Sequence, residues 1–347
     1  MDVEISRTDA PMDGLLAALR AAAEPTRLRI VALLVRGELT VSEFVSVLGQ
    51  SQPRISRHLK LLTEAGLLIR FREGSWVFHR LAEDGPGAEV ARHLHALLPD
   101  DAGQDQALAR DLERLARVKC ARAERAAAYF RRNAESWDKL RSLHVDDHEV
   151  ETVIARLLPE RGIEHLLDLG TGTGRMLELL GPRAVRGLGV DLSREMLTVA
   201  RDNLDRAGLR NCQVRQADLY RLPFPAETFD VATIHQVLHF LDEPAAAIAE
   251  AARVLTPGGR LLVVDFAPHD LESLRDEHEH RRLGFADPEI AAWFARAGLT
   301  PLKTRHLAGE PLTVAVWLAA KPEGPEPAGV KPGRARKKAA PVNGAVS

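Results

Sequence analysis

The chain has 347 residues, 45% of them hydrophobic, and a formal net charge of −2. That length suggests two domains with sizeable cores, and the near-neutral balance excludes nucleic-acid binding through bulk charge, leaving only a local patch. The two cysteines, Cys120 and Cys212, exclude a disulfide framework; with no leader pattern and no bilayer-length apolar run, the chain is expected to be cytoplasmic, with no membrane partner.

Residues 1–12 are expected to be disordered. From Leu15 to about Leu81 the pattern predicts short amphipathic helices followed by a hairpin. Thr40–Leu48 is one such helix, and Gly49-Gln50 reads as a turn. Ser51 suits the N-cap of the next helix, and Pro53 suits its first turn, where the missing N–H costs nothing. Ile55, Leu59 and Leu62 share one face at i, i+4, i+7 spacing. Arg54, Arg57, His58 and Lys60 take most of the remaining surface. Two helices joined by a short turn containing glycine form a helix-turn-helix, whose second helix enters the major groove of DNA. Ser51, Gln52, Arg54, Arg57, His58 and Lys60 are therefore the candidate readers.

Leu68–Leu81 holds two alternating runs around Glu73-Gly74-Ser75, which predicts a hairpin wing. Arg70 and Arg72 share one face of its first strand and are candidates for phosphate contact. Between Gln50 and Arg80, Arg54, Arg57, Lys60, Arg70, Arg72 and Arg80 face only Glu64 and Glu73. This local excess of about four positive charges is the footprint that the whole-chain charge hides.

A helix is expected from about Ala88 to Leu98, and Pro99–Gly103 is a break. From Gln104 to about Arg141 the Ala, Arg and Glu content, without Gly or Pro, favours a long helix. Then Leu166–Leu169, Gly187–Val190, Gln213–Gln216, Val231–Ile234 and Arg260–Asp265 read as strands separated by helices. That alternation implies right-handed βαβ units and a mostly parallel, doubly wound sheet. The Pro-, Ala- and Lys/Arg-rich residues 321–347 are expected to form a disordered basic tail.

Ala23-Glu-Pro-Thr-Arg-Leu-Arg-Ile, Gly37-Glu-Leu-Thr, the Ser51 helix, Glu64-Ala-Gly-Leu and the wing together resemble the ArsR family of winged-helix regulators, over about residues 13–98. The resemblance implies an α/β winged helix that binds operator DNA as a homodimer, through its first and last helices. Here these would contribute Leu15, Leu16 and Leu19, and Val90, Leu94 and Leu97. Metal sensors of the family carry Cys-x-Cys in a Glu-Leu-Cys-Val-Cys motif, where this chain has Glu38-Leu39-Thr40-Val41-Ser42. Hydroxyls are poor ligands for soft metals. His93 and His95, at i and i+2, do not share a helix face. No metal is expected.

Leu166-Leu-Asp-Leu-Gly-Thr-Gly-Thr-Gly-Arg-Met-Leu follows the order strand, tight glycine turn, helix. Gly170, Gly172 and Gly174 let the backbone turn sharply and approach a ligand closely. A nicotinamide-binding Gly-x-Gly-x-x-Gly would need glycine at Arg175. The spacing, preceded by Asp168, instead resembles the first motif of class I S-adenosylmethionine-dependent methyltransferases. The Pro257-Gly258-Gly259 turn before the fifth strand is typical of small-molecule enzymes of the ubiquinone-biosynthesis type. The resemblance covers about residues 125–320, with the domain itself placed at 146–320 and residues 99–145 as a helical linker and cofactor lid. It implies a Rossmann-like fold and S-adenosylmethionine as cofactor. Asp168, Gly170, Thr171, Gly172 and Gly174 would hold it. Asp191, with Leu192, would accept the ribose hydroxyls, and Asp218, with Leu219, would take the adenine amino group.

Tyr129 and Trp137 would pack either on the ligand or in an interdomain core. His235 and His239 follow the fourth strand at the carboxyl edge of the sheet, where ligands bind. Both are candidate bases, and His235 is also a candidate cofactor contact. His269, His278 and His280 fall in or beside Leu271–Arg282, expected as a charged, solvated helix. No Asn/Asp-Pro-Pro-Tyr stretch follows the fourth strand, which disfavours methylation of nucleic-acid bases. Arsenite methylation needs several cysteines and is disfavoured too. Two functions follow: a DNA-binding regulator that methylates a small acceptor, or a non-catalytic repressor that senses S-adenosylmethionine or S-adenosylhomocysteine to control methionine-cycle genes.

Overall fold

The computed structural model describes residues 12–73, 75–82, 85–97, 105–134, 147–158 and 162–323. The N-terminal part contains α1 (Met12–Ala22), α2 (Pro25–Leu34), β1 (Leu39–Thr40), α3 (Val41–Leu48), α4 (Gln52–Glu64), β2 (Leu68–Glu73), β3 (Trp76–Leu81) and α5 (Pro86–Leu97). Thr40 caps α3 through a reciprocal capping box with Glu43, and Gly49 ends it in the left-handed conformation. The helix α4 therefore starts at a fixed angle to α3. Its Ile55, Leu59 and Leu62 are buried with Ile30, Leu33 and Phe44. Ser51 holds the N-cap position of α4, but its side chain makes no capping bond. β1, β3 and β2 form a small antiparallel sheet.

On α1, Leu15, Leu16 and Leu19 stay exposed, as does Leu97 on α5, while Val90 is buried inside the domain. The long helix α6 (Gln106–Asn133) is capped by Asp105, which accepts from the N–H groups of Ala107 and Leu108. The remainder of the helix expected to Arg141 falls in residues 135–146, which include Trp137 and lie outside the described residues. So do His95 as a side chain, the segment 98–104 and the tail from 324. Among the described residues no helix is long and apolar enough to cross a membrane.

The C-terminal part runs α7 (Asp147–Leu157), β4 (Ile163–Leu169), α8 (Arg175–Leu180), β5 (Ala184–Asp191), α9 (Arg194–Arg206), β6 (Cys212–Gln216), β7 (Phe229–His235), α10 (Pro244–Val254), β8 (Leu255–Phe266), α11 (Ser273–His278), α12 (Asp287–Arg296), β9 (Thr300–Ala308) and β10 (Thr313–Ala320). One seven-stranded sheet has the order β6-β5-β4-β7-β8-β10-β9. The first five strands in that order are parallel. β10 runs antiparallel to β8 and β9. Apolar cores lie on both faces, as a doubly wound sheet requires. The chain steps from β4 outward to β6, then returns to place β7 beside β4. Strand order therefore reverses next to β4, and a crevice opens there at the carboxyl ends.

The expected charged helix over Leu271–Arg282 is corrected. Only Ser273–His278 is helical, and Arg275, His280, Arg281 and Arg282 are buried. They lie beneath the N-terminal domain, where aromatic rings and carboxylates replace the water that a surface helix would have.

Candidate cofactor site and DNA-reading surface

At the end of β4 the chain turns through Gly170. The N–H groups of Gly170 and Thr171 both donate to the Val190 carbonyl, at 2.8 and 2.9 Å. Gly170 has φ +70°, and a Cβ there would lie 2.4 Å from Cγ2 of Val237. The position thus demands glycine on both backbone and steric grounds. Asp191, at the end of β5, braces the turn: its Oδ2 accepts from the Gly172 N–H at 2.9 Å and its Oδ1 from the Ser193 N–H at 2.8 Å. Burial pushes the Asp191 carboxyl up, against the pull of these backbone donors. Asp168 is buried and accepts from the Thr233 hydroxyl at 2.6 Å. Asp218 accepts from the Tyr220 N–H at 2.9 Å.

All these groups meet at one cavity of about 700 Å³, lined by Asp168, Gly170, Thr171, Gly172, Asp191, Leu192, Asp218, Leu219 and His235. The glycine loop and the ends of four strands supply one side of it. The wall therefore offers carboxylate acceptors beside a close-approach glycine turn. A polar nucleoside-bearing ligand fits that chemistry. Gly174 instead caps α8, with φ +88°.

His239 does not line this cavity. It is buried, and its Nδ1 lies 2.7 Å from Asp265 Oδ1. Its carbonyl accepts from the N–H groups of Arg281 and Arg282. Its ring stacks on His280, 4.0 Å between centroids, and His280 does reach the cavity wall. Tyr129 is likewise core: its hydroxyl meets His278 Nδ1 at 2.6 Å, and burial pushes its pKa up to about 12. Its neighbour Phe130 lines the cavity instead.

The sequence gives no signal for the opposite wall. Glu43 of α3 and Trp76 of β3, both in the N-terminal domain, line the same cavity with Phe240, Arg275 and Arg281. Arg122 of α6 pairs with Glu43 and also with Asp242, 2.9 Å away. Arg281 pairs with Asp242 at 2.9 Å.

In the N-terminal domain, Ser51 at the N-cap and Gln52, Arg54, Arg57 and Lys60 of α4 are exposed, as are Arg70 and Arg72 of β2, although Arg72 also lines a crevice with Asp270 and Arg282 of the C-terminal part. Arg54, Arg57 and Lys60 are thus solvent-accessible basic side chains on the second helix of the helix-turn-helix. His58 departs from the expectation: it turns inward, with Nδ1 3.6 Å from Glu24, the N-cap of α2. Burial pushes its pKa down. The imidazole is short enough to reach the cap of the neighbouring helix, whereas the arginines on the same helix extend into solvent.

Residues 24–70 match the family of bacterial regulatory proteins of the arsR type, and residues 167–263 match the methyltransferase domain. An uncharacterized methyltransferase of Bacillus subtilis, YcgJ, is 35% identical over 111 residues, which cover 32% of this chain and 44% of that protein. The demethylmenaquinone methyltransferase of Thermus thermophilus is 38% identical over 31% of this chain and 50% of its own. The ubiquinone/menaquinone biosynthesis C-methyltransferase UbiE of Teredinibacter turnerae is 36% identical over 153 residues, 42% of this chain and 61% of its own. The chain thus spans about half the length of the curated relatives it matches. It joins a helix-turn-helix of the ArsR family to a Rossmann-like methyltransferase domain.

Proposed function

We propose that this protein is a DNA-binding regulator that also transfers a methyl group from S-adenosylmethionine to a small acceptor. The observation that carries the reading is the cavity at the strand-order reversal, where Asp191 and the Gly170–Gly172 turn meet on one wall. The cofactor's sulfonium supplies an already activated methyl group. The chain's own task is then to bind, to align and to exclude water. Asp191, with both oxygens already on backbone donors, keeps lone pairs for ribose hydroxyls; Asp218 stands at the end of β6 for the adenine. Two added donors would also favour the charged form of Asp191, which burial opposes.

The acceptor side is aromatic: Trp76, Phe130, Phe240 and His280 share it. Of the guanidiniums around it, Arg122 and Arg281 are each paired with carboxylates, and Arg275 lies over Trp76. That wall suits a planar, weakly charged acceptor. If the acceptor carries a hydroxyl, His235 on the wall is the nearest base among the two histidines first considered. His239 holds the Arg281–Arg282 backbone in place. The sequence region that matches UbiE is consistent with a conjugated ring acceptor.

Calorimetry of the purified protein with S-adenosylmethionine and S-adenosylhomocysteine tests the cofactor reading, and a panel of dihydroxyarenes against aliphatic amines of equal size tests the acceptor class. Binding of neither nucleoside overturns the first; turnover of only the amines overturns the second.

A second reading, a repressor that senses the nucleosides without catalysis, is supported by Glu43 and Trp76 on the cavity wall. Ligand and DNA-binding domain would then share a surface. DNA affinity measured with neither nucleoside, with each, and in Asp191→Ala separates the two. A change of about 5–150-fold, lost in Asp191→Ala, favours the sensor. The exposed leucines of α1 support a homodimer, which sedimentation would establish.

A further inference from the structure

The tip of the wing is attached to the methyltransferase domain. The Ser75 N–H donates to Glu272 Oε1 at 2.6 Å, and the Ser75 hydroxyl donates to Oε2 at 3.0 Å. One carboxylate thus takes two adjacent donors. Behind the tip, Arg275 lies over the Trp76 ring at 4.4 Å, Arg281 over Phe78 at 5.8 Å and Arg282 over Phe71 at 5.4 Å. Arg282 also reaches Glu38 at 3.4 Å and Glu289 at 2.8 Å, and Arg80 of β3 is 3.6 Å from the same Glu38. The wing and the 272–282 segment therefore meet through aromatic faces, guanidiniums and one shared carboxylate cluster.

In a winged helix the tip donates hydrogen bonds to DNA phosphate oxygens, which are themselves paired acceptors of one negative charge. A carboxylate has the same charge and the same two-oxygen geometry. The Ser75 donors cannot serve both, and a carboxylate held at the tip also repels an approaching phosphate.

We propose that Glu272 stands in for a DNA phosphate at the wing tip, so that the wing is shared between the methyltransferase domain and DNA. The docked wing is the DNA-free state, and DNA binding requires Ser75 to leave Glu272. The inference rests on the reading of the N-terminal domain as a DNA binder. Glu272 itself does not line the cavity, although its carboxylate also lies 3.5 Å from Nε of Arg275, which does.

The test uses the full chain and the tightest-binding duplex selected from a random-sequence 30-base-pair pool, read by anisotropy. Glu272→Ala removes the carboxylate that competes with phosphate at the tip and should tighten DNA at least fivefold, while the contacts of Trp76, Phe78 and Phe71 behind the tip remain. For the locked state, Ser75→Cys and Glu272→Cys are combined with Cys120→Ser and joined by a short bismaleimide with a cleavable disulfide spacer. Cys212 is buried, with its thiol pushed up to about 11, and does not compete. The bridge should weaken DNA at least tenfold, and reduction of the spacer should restore binding, which excludes misfolding as the cause. A wild type that binds weakly beside a Glu272→Ala that binds well supports the proposal. DNA affinity that stays within twofold in Glu272→Ala and on bridging, while Arg54→Ala with Arg57→Ala abolishes it, overturns the proposal but keeps the DNA reading. No binding by any variant overturns both.

Discussion

The guanidinium of Arg275 lies 4.4 Å from the ring centre of Trp76, so a residue of the methyltransferase half closes over the indole of the wing. Arg275 is 7% exposed and Trp76 37%, so the cation–π contact is shielded on the guanidinium side and open to water on the indole side. Its Nη1 also donates to the Arg281 carbonyl. The pair fixes the wing and the 275–282 turn in one piece, on the rim of the ligand cavity.

Removing that guanidinium should loosen the two domains. Arg275→Ala is expected to cost about 1 kcal/mol of interface stability, between the exposed and the desolvated range for a cation–π pair. Arg275→Lys should recover less than half, because an ammonium cannot lie flat on an indole and keep the same fork of donors. Urea unfolding followed by tryptophan fluorescence reads both. Equal stability of the alanine variant and wild type would mean that the contact carries no weight.

Asp191→Ala should weaken S-adenosylmethionine by about 1.5–3 kcal/mol, the range for a charge-assisted hydrogen bond. Part of the loss is indirect, since the Gly172 and Ser193 N–H groups lose their brace. Asp191→Asn keeps one carbonyl acceptor and should fall between. Isothermal titration with the nucleoside gives the order; wild-type affinity in Asp191→Ala would move the ribose elsewhere.

Gly170→Ala should abolish cofactor binding, because its Cβ would sit 2.4 Å from Cγ2 of Val237. Val237→Ala removes that obstacle. The double variant should therefore regain part of the affinity, short of wild type by about 1–2 kcal/mol for an alanine held at positive φ. Failure of Val237→Ala to restore anything would show that backbone conformation alone sets the requirement.

For DNA, Arg54→Ala and Arg57→Ala should each cost about 1–3 kcal/mol and relax sequence preference, since both extend from the exposed face of α4. Arg72→Ala should weaken all sequences alike and lower the salt slope by about one. His58→Ala should change sequence preference little, because the ring faces Glu24 rather than the groove. Selection of binding sites from a random pool, repeated at two salt concentrations, distinguishes these effects. A switch of preferred sequence in His58→Ala would contradict the inward placement.

What could be read from the chain alone was whatever local rules determine. The glycine turn, the acidic residues at strand ends and the three-apolar face of α4 each follow from short-range spacing, and each lies where that spacing implies. β9 and β10 form the antiparallel end of the sheet without a glycine motif or an intervening helix, and only β10 is nearly all buried. The pairing of β10 with β8 is a long-range fact. The residues from Leu271 to Arg282 look solvated by composition. Their burial depends on Trp76, Phe78 and Glu38, some two hundred residues away, and no periodicity within the segment records those partners. The order of strands puts His239 near the sheet edge, but Asp265 on the next strand sets the direction of its ring.

Acid should weaken the fold through two buried histidines. His79 of β3 is 4% exposed, edge-on to Phe44, with a buried Nδ1 that has no hydrogen-bond partner. Burial, with a smaller push from Arg70, lowers its pKa from 6.5 to about 4. His269, in the methyltransferase half, is lowered to about 4 as well, again chiefly by burial. Between those values the unfolded chain binds a proton that the folded ring refuses, so stability rises with pH across this window. The stabilisation is complete above about pH 6.5 and is lost as pH falls toward 4. The difference for one such ring amounts to about 3 kcal/mol at the low end. His79→Phe keeps an aromatic ring against Phe44 and removes the titrating group. Its melting temperature should fall less steeply than that of wild type between pH 6.5 and 4, while remaining sensitive through His269. Calorimetric scans at half-unit steps of pH measure both slopes, and parallel curves for the two proteins would show that His79 takes up its proton without cost to the fold.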